Sequence, residues 1–396
     1  MTTSSPHSAA TGSPDEHAAS VSEPATAREI GQQPAVWREV VAASGDREAQ
    51  VRGFLDPLLA RPDLRIVLSG AGTSAFAGEV LAPSLTRVLG RRVDVVATTD
   101  VVSSPREVFA EDVPTLLVSL SRSGNSPESV ATTRLADQCL HSVHHLVVTC
   151  DADGQLAREH ASSGTSLVLL MPEAANDRGF AMTSSFTSML LATWLALAPM
   201  AAPSPTSLVD QVAAGAEQVL AASGTITELA GRGYQRVVYL GSGSLAGLAR
   251  ESALKLLELT AGQVVSFYDT PLGFRHGPKA VLRDRTLAVV YLSNDPYTRR
   301  YDEDIVAELA ESLGKEHVLV IAARPPESLQ VGVQVGVQVG GLDDADDALL
   351  ALPFVVVAQL LALQCSLDRG LTPDNPFPDG EVNRVVQGVT VHPLPR

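Results

Sequence analysis

The chain has 396 residues, 45% of them hydrophobic, and a formal net charge of −16 at pH 7. That length supports two domains with tails, each able to bury a substantial core. The acidic balance argues against nucleic acid or an anionic membrane surface as a partner, because both require basic patches.

Residues 1–25 open with MTTSSPHSAATGSPDEHAAS, which lacks both an apolar core and a basic start, so a disordered leader is expected rather than a signal peptide. A helical segment, 26–60, contains TAREIGQQPAVWREV. The first domain, 61–205, begins with the strand RIVLSG at Arg65, which runs directly into AGTSAFAGEVLAPSLTRVL with helical spacing. RRVDVVATTD, TLLVSLSRSGNSPES and HHLVVTCD follow with helical stretches between most of them, and MTSSFTSMLLATWLALA, from Met182, closes the unit. Nearly continuous apolar strands alternating with helices predict a parallel sheet covered on both faces.

The second domain, 206–370, repeats that order after a Pro-, Ser- and Ala-rich join at MAAPSPTSLVD. RVVYLGSGSLAGLARESALKLLELT matches the Arg65 segment, TLAVVYLSNDPYTRR matches TLLVSLSRSGNSPES, HVLVIAAR matches HHLVVTCD, and LPFVVVAQLLALQCSLDRG matches the helix at Met182. Arg65 to Arg236 and Thr115 to Thr286 are separated by the same 171 residues, which predicts a duplicated α/β domain. The run VGVQVGVQVGGLDD has a strand-like period of two, but its recurrent glycines weaken a strand, and it reads as a surface insertion without chemistry. Residues 371–396 are too proline-broken to continue a helix and are expected to wrap back over the site. Cys139, Cys150 and Cys365 are scattered in apolar surroundings, the pattern of reduced thiols in a cytoplasmic protein and not of a disulfide framework or zinc site. No apolar run of about 18 residues passes uninterrupted, so no membrane span is expected.

Ligands of parallel α/β sheets bind beyond the strand carboxyl ends, at helix N-termini. SGAGTSA, SRSGNSPES and GSGSLAG occupy that position. A turn needs only Gly124 and Pro127, so Ser119, Ser121, Ser123, Ser126 and Ser129 are surplus donors that suit a phosphate monoester. Tight capped turns remain an alternative. Gly70 to Ala75 and Gly241 to Ala246 also match the G-x-G-x-x-A dinucleotide pattern, but Asp100 lies beyond the acidic position expected about 20 residues on. The Walker Gly-Lys-Ser/Thr ending is absent from all three loops. Glu251, Lys255 and Glu258 share one helical face, either as a surface ion pair or, because leucines surround them, as charges facing a polar cavity with Glu258 as acid/base. The loop DTPLGFRHGPKAVL presents Arg275, His276 and Lys279, suited to proton exchange or simply to solvent. His141, His144, His145 and His160 have no convincing metal-ligand spacing.

These motifs together resemble the double sugar-isomerase (SIS) domain family, including the isomerase half of glucosamine-6-phosphate synthase. The matching segments are Gly72-Thr73-Ser74, Ser121 to Ser126, ESALKLLE and His276-Gly277-Pro278. REIGQQPAVW, LSRSGNSPES, FRHGPK and NPFPDGEVNRVVQGV are more similar to the galactosamine-6-phosphate deaminase and tagatose-6-phosphate ketose–aldose isomerase branch. The resemblance implies two tandem domains, each a flavodoxin-like three-layer sandwich, acting on a sugar phosphate without cofactor or metal. It implies that Thr73, Ser74, Ser121, Arg122, Ser123 and Ser126 hold the phosphate, that Glu258 moves a proton between C1 and C2, and that Lys255 lines the site. His276 would assist ring opening and in this family can come from the neighbouring subunit, and a homodimer or higher homo-oligomer is expected.

One departure bears on the reaction. Where the synthase has a Schiff-base lysine near its C-terminus, this chain has Gln387, whose amide cannot form one. A glutamine-hydrolysing domain is also missing from the sequence. Both fit a deaminase converting galactosamine 6-phosphate to tagatose 6-phosphate and ammonia. Plain aldose–ketose isomerisation and a non-catalytic sugar-phosphate sensor are the alternatives.

Overall fold

The computed structural model describes residues 23–198, 204–325, 335–386 and 388–395. Residues 1–22 of the expected leader and the first residues of the join lie outside that range, as does Gln387, while Ala25, placed in the leader, begins the first helix. Three helices lead in: α1 (Ala25–Gly31), α2 (Gln33–Asp46) and α3 (Glu48–Leu59). The first half then alternates β1 (Arg65–Ser69), α4 (Thr73–Leu89), β2 (Val93–Val95), α5 (Thr98–Ser103), α6 (Pro105–Val108), β3 (Thr115–Ser121) and α7 (Pro127–Cys139). It ends with β4 (Val143–Thr149), α8 (Gln155–His160), β5 (Ser166–Leu170) and α9 (Ser184–Leu197). After α10 (Pro205–Ala221) and α11 (Ser223–Ala230), the second half runs β6 (Arg236–Leu240), α12 (Ser244–Leu259), β7 (Val265–Asp269), α13 (Pro271–Phe274) and β8 (Thr286–Tyr291). It closes with α14 (Pro296–Leu313), β9 (Val318–Ala322), β10 (Val335–Gln338) and α15 (Asp347–Leu367).

Each half is a five-stranded parallel sheet. The orders, β2-β1-β3-β4-β5 and β7-β6-β8-β9-β10, are the same topology repeated. Ile66, Val67 and Leu68 of β1 are fully buried, as are Val238, Tyr239 and Leu240 of β6, which is why these strands read as unbroken apolar runs.

The strand β10 corrects the expectation for the V-G-V-Q run. It pairs in parallel with β9 and occupies the place that β5 holds in the first half. Alternation turns Val337 and Val339 into the core, at 5% and 0% exposure. A Cβ on Gly336 would lie 2.3 Å from the tip of the Leu319 side chain, so a larger residue there would push that side chain aside. Residues 326–334 of the same segment lie outside the described range.

A single apolar cluster runs from β1 and β3 through α4, α9, α12 and α15 to β6 and β8, so the two halves share one core. Helix α15 is long and apolar enough to cross a membrane, but it lies almost wholly inside this core. The tightest approach between halves is α12 on α4. A Cβ on Gly247 would sit 2.6 Å from the backbone nitrogen of Val80. Contacts step along the pair from Ser84–Ser244 to Glu79–Arg250, so the helices run antiparallel.

Gly247→Ala forces that backbone contact apart and is expected to destabilise the fold by about 1–3 kcal/mol. Gly224, in α11, has nothing within 4 Å of a would-be Cβ. Gly224→Ala is therefore expected to be neutral or slightly stabilising. Urea unfolding midpoints of the two variants check this, and equal midpoints would contradict the close-contact role of Gly247.

Candidate active site

The sheet order reverses between β1 and β3, and the crevice beyond their carboxyl ends is where such sheets bind ligands. Ser69 of β1 is in register with Ser119 of β3, so the loops carrying Thr73-Ser74 and Ser121 to Ser126 emerge side by side. Gly72 adopts φ 53° and ψ −127°, a conformation only glycine tolerates readily. Its counterpart Gly243 repeats it at φ 55° and ψ −125°. A Cβ on Gly70 would lie 2.6 Å from the Ser74 backbone, so both glycines are needed to turn β1 sharply into α4.

Helix α7 begins at Pro127 with Ser126 at its N-cap, yet no side chain caps it. The Ser126 hydroxyl instead donates to Ser129 at 2.6 Å. Ser121 Oγ accepts from the Gly124 N–H at 3.2 Å, and Ser123 Oγ accepts from that of Asn125 at 3.3 Å. These bonds shape the loop, while the helix N-terminus stays open to an anion.

Arg122 is buried behind the loop, with a single long hydrogen bond, 3.5 Å, to the carbonyl of Arg384 in the tail. Burial lowers its pKa, the charge of Arg384 adds to that, and Asp177, Cys150 and Glu29 oppose it. The tail thus passes the loop and continues to Leu394, whose carbonyl accepts from Gln138 at 3.1 Å.

The loop preceding α9 is held by residues that sequence reasoning left without a role. Asp177 is fully buried and accepts from the backbone and hydroxyl of Thr183, the backbone of Ser184, and the backbone and hydroxyl of Ser185. Glu29 accepts from the backbone N–H groups of Arg178 and Gly179. Burial raises the Glu29 pKa, and those two N–H groups pull it back. Gln33, on α2, bridges the halves by donating to Gln359 of α15 at 2.7 Å and accepting from Thr187 at 2.9 Å. The available signal was REIGQQP itself, together with Asp177 shortly before the serine-rich start of α9.

Across the helix contact, α12 presents its charged face. Lys255 and Glu251 are 1% and 0% exposed, while Glu258 is 24% exposed at the end of the helix. The Lys255 Nζ donates to Glu258 Oε2 at 2.5 Å and lies 3.5 Å from Glu251 Oε1. Thr73, from the β1 loop, faces Glu251 with its hydroxyl. The charges therefore face a buried polar cluster, and the surface-pair alternative is set aside. Burial opposes the charge on Lys255, but its neighbours Glu251 and Glu258 outweigh that and raise its pKa. Burial pushes Glu251 up to about 8, against the pull of Lys255.

His276 is not joined to this cluster by any hydrogen bond or ion pair among the described residues. Its neighbours Arg275 and Lys279 both pair with Glu308 of α14, which pins the loop and leaves the His276 ring exposed. Among the described residues, no group of three or more His, Cys, Asp or Glu side chains could hold a metal ion. His145 pairs instead with Asp137 at 3.0 Å, and His160 with Ser166 at 2.8 Å.

Known proteins share this architecture and its sequence. The SIS domain family matches residues 58–199 and 232–367. A Streptomyces coelicolor protein provisionally named D-galactosamine-6-phosphate deaminase is 59% identical over 372 residues, covering 93% of this chain and 95% of that protein. The D-galactosamine-6-phosphate deaminase of Escherichia coli is 43% identical over 370 residues, with 93% and 95% covered. The crystal structure of tagatose-6-phosphate ketose/aldose isomerase from Escherichia coli superposes with a TM-score of 0.85 at 41% identity, over 95% of this chain and 98% of that one. The chain belongs to the SIS domain family, in the branch that holds these deaminases and isomerases.

Proposed function

We propose that this protein is a cytoplasmic amino-sugar-phosphate deaminase that converts D-galactosamine 6-phosphate to D-tagatose 6-phosphate and ammonia. The observation that carries this reading is the partly exposed Glu258 carboxylate, paired with a buried ammonium beside a hydroxyl-lined crevice. It stands in a chain that matches deaminases along 93% of its length.

In this reading the phosphate sits on the open N-terminus of α7 and on Ser121, Ser123 and Ser126, with Thr73 and Ser74 on the facing loop and Arg122 behind. His276 exchanges the proton that opens the ring. Glu258 takes the proton from C2 and returns it to C1, while a proton from nitrogen passes to O1. The aldehyde becomes a CH2OH group and the amine a C2 imine. Water adds to that imine and expels ammonia, leaving the ketose. Lys255 lines the site and steadies the Glu258 carboxylate. No lysine Schiff base is required, which accords with Gln387. Isomerisation without loss of an amine is the second reading, favoured by the activity for which the structural neighbour is named.

A homodimer or larger homo-oligomer completes the site in this proposal. Leu257, Val265, Tyr268 and Leu272 are exposed around the β7 edge and the His276 loop, and an uncovered apolar edge suits a second copy. His276 would then serve the partner's crevice.

Ammonia release on mixing the protein with galactosamine 6-phosphate is expected, with little from glucosamine 6-phosphate. Glu258→Gln should lower kcat by about 10²- to 10⁴-fold while ligand still binds. Ketose formation without ammonia would favour the isomerase, and full turnover by the variant would remove Glu258 as the base. Ser121→Ala and Ser123→Ala should each weaken tagatose 6-phosphate binding by about tenfold in calorimetry. Equal affinity of the parent for free tagatose would sink the phosphate assignment. Co-assembled Glu258→Gln and His276→Ala chains should recover activity that each lacks alone. Mixed oligomers that stay inactive would place the histidine in its own chain's site.

A further inference from the structure

Glu251 has no part in the reaction just described, yet it is an unusual carboxyl group in this fold. Its side chain is 0% exposed, and neither oxygen accepts a hydrogen bond among the described residues. The nearest cation, Lys255 Nζ, is at ion-pair distance, 3.5 Å, but bonds to Glu258 instead. A buried carboxylate left this way is costly, so the group holds its proton at neutral pH. Its pKa of about 8 reflects burial first, then the pull of Lys255 and the opposing charge of Glu258, which lie on its own helix. From α4 the Thr73 hydroxyl faces it, and from β8 the buried Tyr291 phenol feels its charge.

The resting trio is thus electrically balanced, with a neutral Glu251, an ammonium on Lys255 and a carboxylate on Glu258. When Glu258 carries the substrate proton, that balance fails. Lys255 is 1% exposed and cannot turn to solvent for a new acceptor. The other carboxyl oxygen within reach is Glu251 Oε1, one helical turn back. We propose that Glu251 is a positioning residue, the second acceptor onto which the Lys255 ammonium shifts while Glu258 is protonated. No proton leaves Glu251 in this step. Its carbonyl oxygen accepts from Lys255 when neutral, and once ionised at higher pH it becomes a full counter-ion. The inference rests on Glu258 being the base.

The test compares steady-state kinetics of the full-length parent, Glu251→Gln and Glu251→Leu with galactosamine 6-phosphate between pH 6.5 and 9, an interval of about 1.5 units below and one above the Glu251 pKa. The parent kcat is expected to rise as Glu251 ionises near pH 8. Glu251→Gln keeps a neutral acceptor and should match the parent at the acid end but lose that rise. The substrate amine titrates in the same region and is common to both, so the difference between the two profiles is the readout. Glu251→Leu offers no acceptor and should lose about 10- to 100-fold in kcat with KM within about twofold of the parent.

Superimposable parent and Glu251→Gln profiles would overturn the proposal. A Glu251→Leu protein with parental kcat but a lower melting temperature would also overturn it, since the role would then be structural. If the leucine variant does not fold, the glutamine profile decides. Glu258→Gln is run alongside. Turnover by that variant would remove the underlying assignment of the base, whereas an inactive Glu258→Gln beside a parental Glu251→Gln profile would remove this inference alone.

Discussion

The site exists because α12 lies directly against α4. With only a hydrogen at Gly247, the helix backbones approach until a methyl group would have no room, and that closeness sets Thr73 of one half opposite Glu251 of the other. Neither half owns the resulting chemistry. The loops proposed to bind the phosphate belong to the first sheet, and Glu251, Lys255 and Glu258 to the second. In the proposed reaction, rigid-body separation of the two would disconnect the phosphate from the base. The shared apolar cluster and the Gln33 bridge between Thr187 and Gln359 work against that separation. This is ordinary burial used for registration, since close-packed helices can hold a side chain within the fraction of an ångström that proton transfer needs.

Duplication also explains why one chain has one centre and not two. The 171-residue offset maps Thr73 onto Ser244, Lys255 onto Ser84 and Glu258 onto Arg87. The mirror-related spot on the far side of the helix pair is accordingly filled by structural contacts. Ser84 bonds to Ser244 at 3.0 Å and to Asp346 at 2.5 Å, and Arg87 pairs with Asp346. The second potential anion loop is closed as well. Asp295, at the N-cap of α14, accepts from the Tyr297 and Thr298 N–H groups, where the first half leaves α7 uncapped. Asp302 fills the space behind it by accepting from Ser242 and Ser293, and burial lifts its pKa to about 7. A phosphate would meet carboxylates there.

What the sequence made legible follows from which signals are local. The strands β1, β3, β4, β6, β8 and β9 are largely buried and mostly apolar, and the duplicated order followed from them. The outer strands β5 and β7 are partly exposed, and β7, with Ser266 and Asp269 among its five residues, carries no apolar run to mark it. For β10, the recurrent glycines looked like strand breakers, and the pairing with β9 that makes this run a strand is not visible within the segment. At the site, surplus serines and the spacing of Glu251, Lys255 and Glu258 were visible within single segments. The isolation of Glu251 was not, because the residue facing it lies 178 positions earlier in the chain. The same limit hid Glu29, whose partners are the backbone of Arg178 and Gly179.

A chain of net charge −16 that takes an anionic substrate must win it locally. The long-range field repels a phosphate dianion, although over more than about 8 Å salt screens that repulsion. In the proposed site, attraction would come from groups that carry little net charge, the open N–H groups of α7 and the serine hydroxyls. Arg122 would add a cation that is already desolvated, beside Arg384 and away from any ion pair among the described residues. Binding built from short-range dipoles and a buried guanidinium is selective for geometry, because each donor works only at hydrogen-bonding distance. An acidic surface then costs such an enzyme little at the site, and gives it solubility in return.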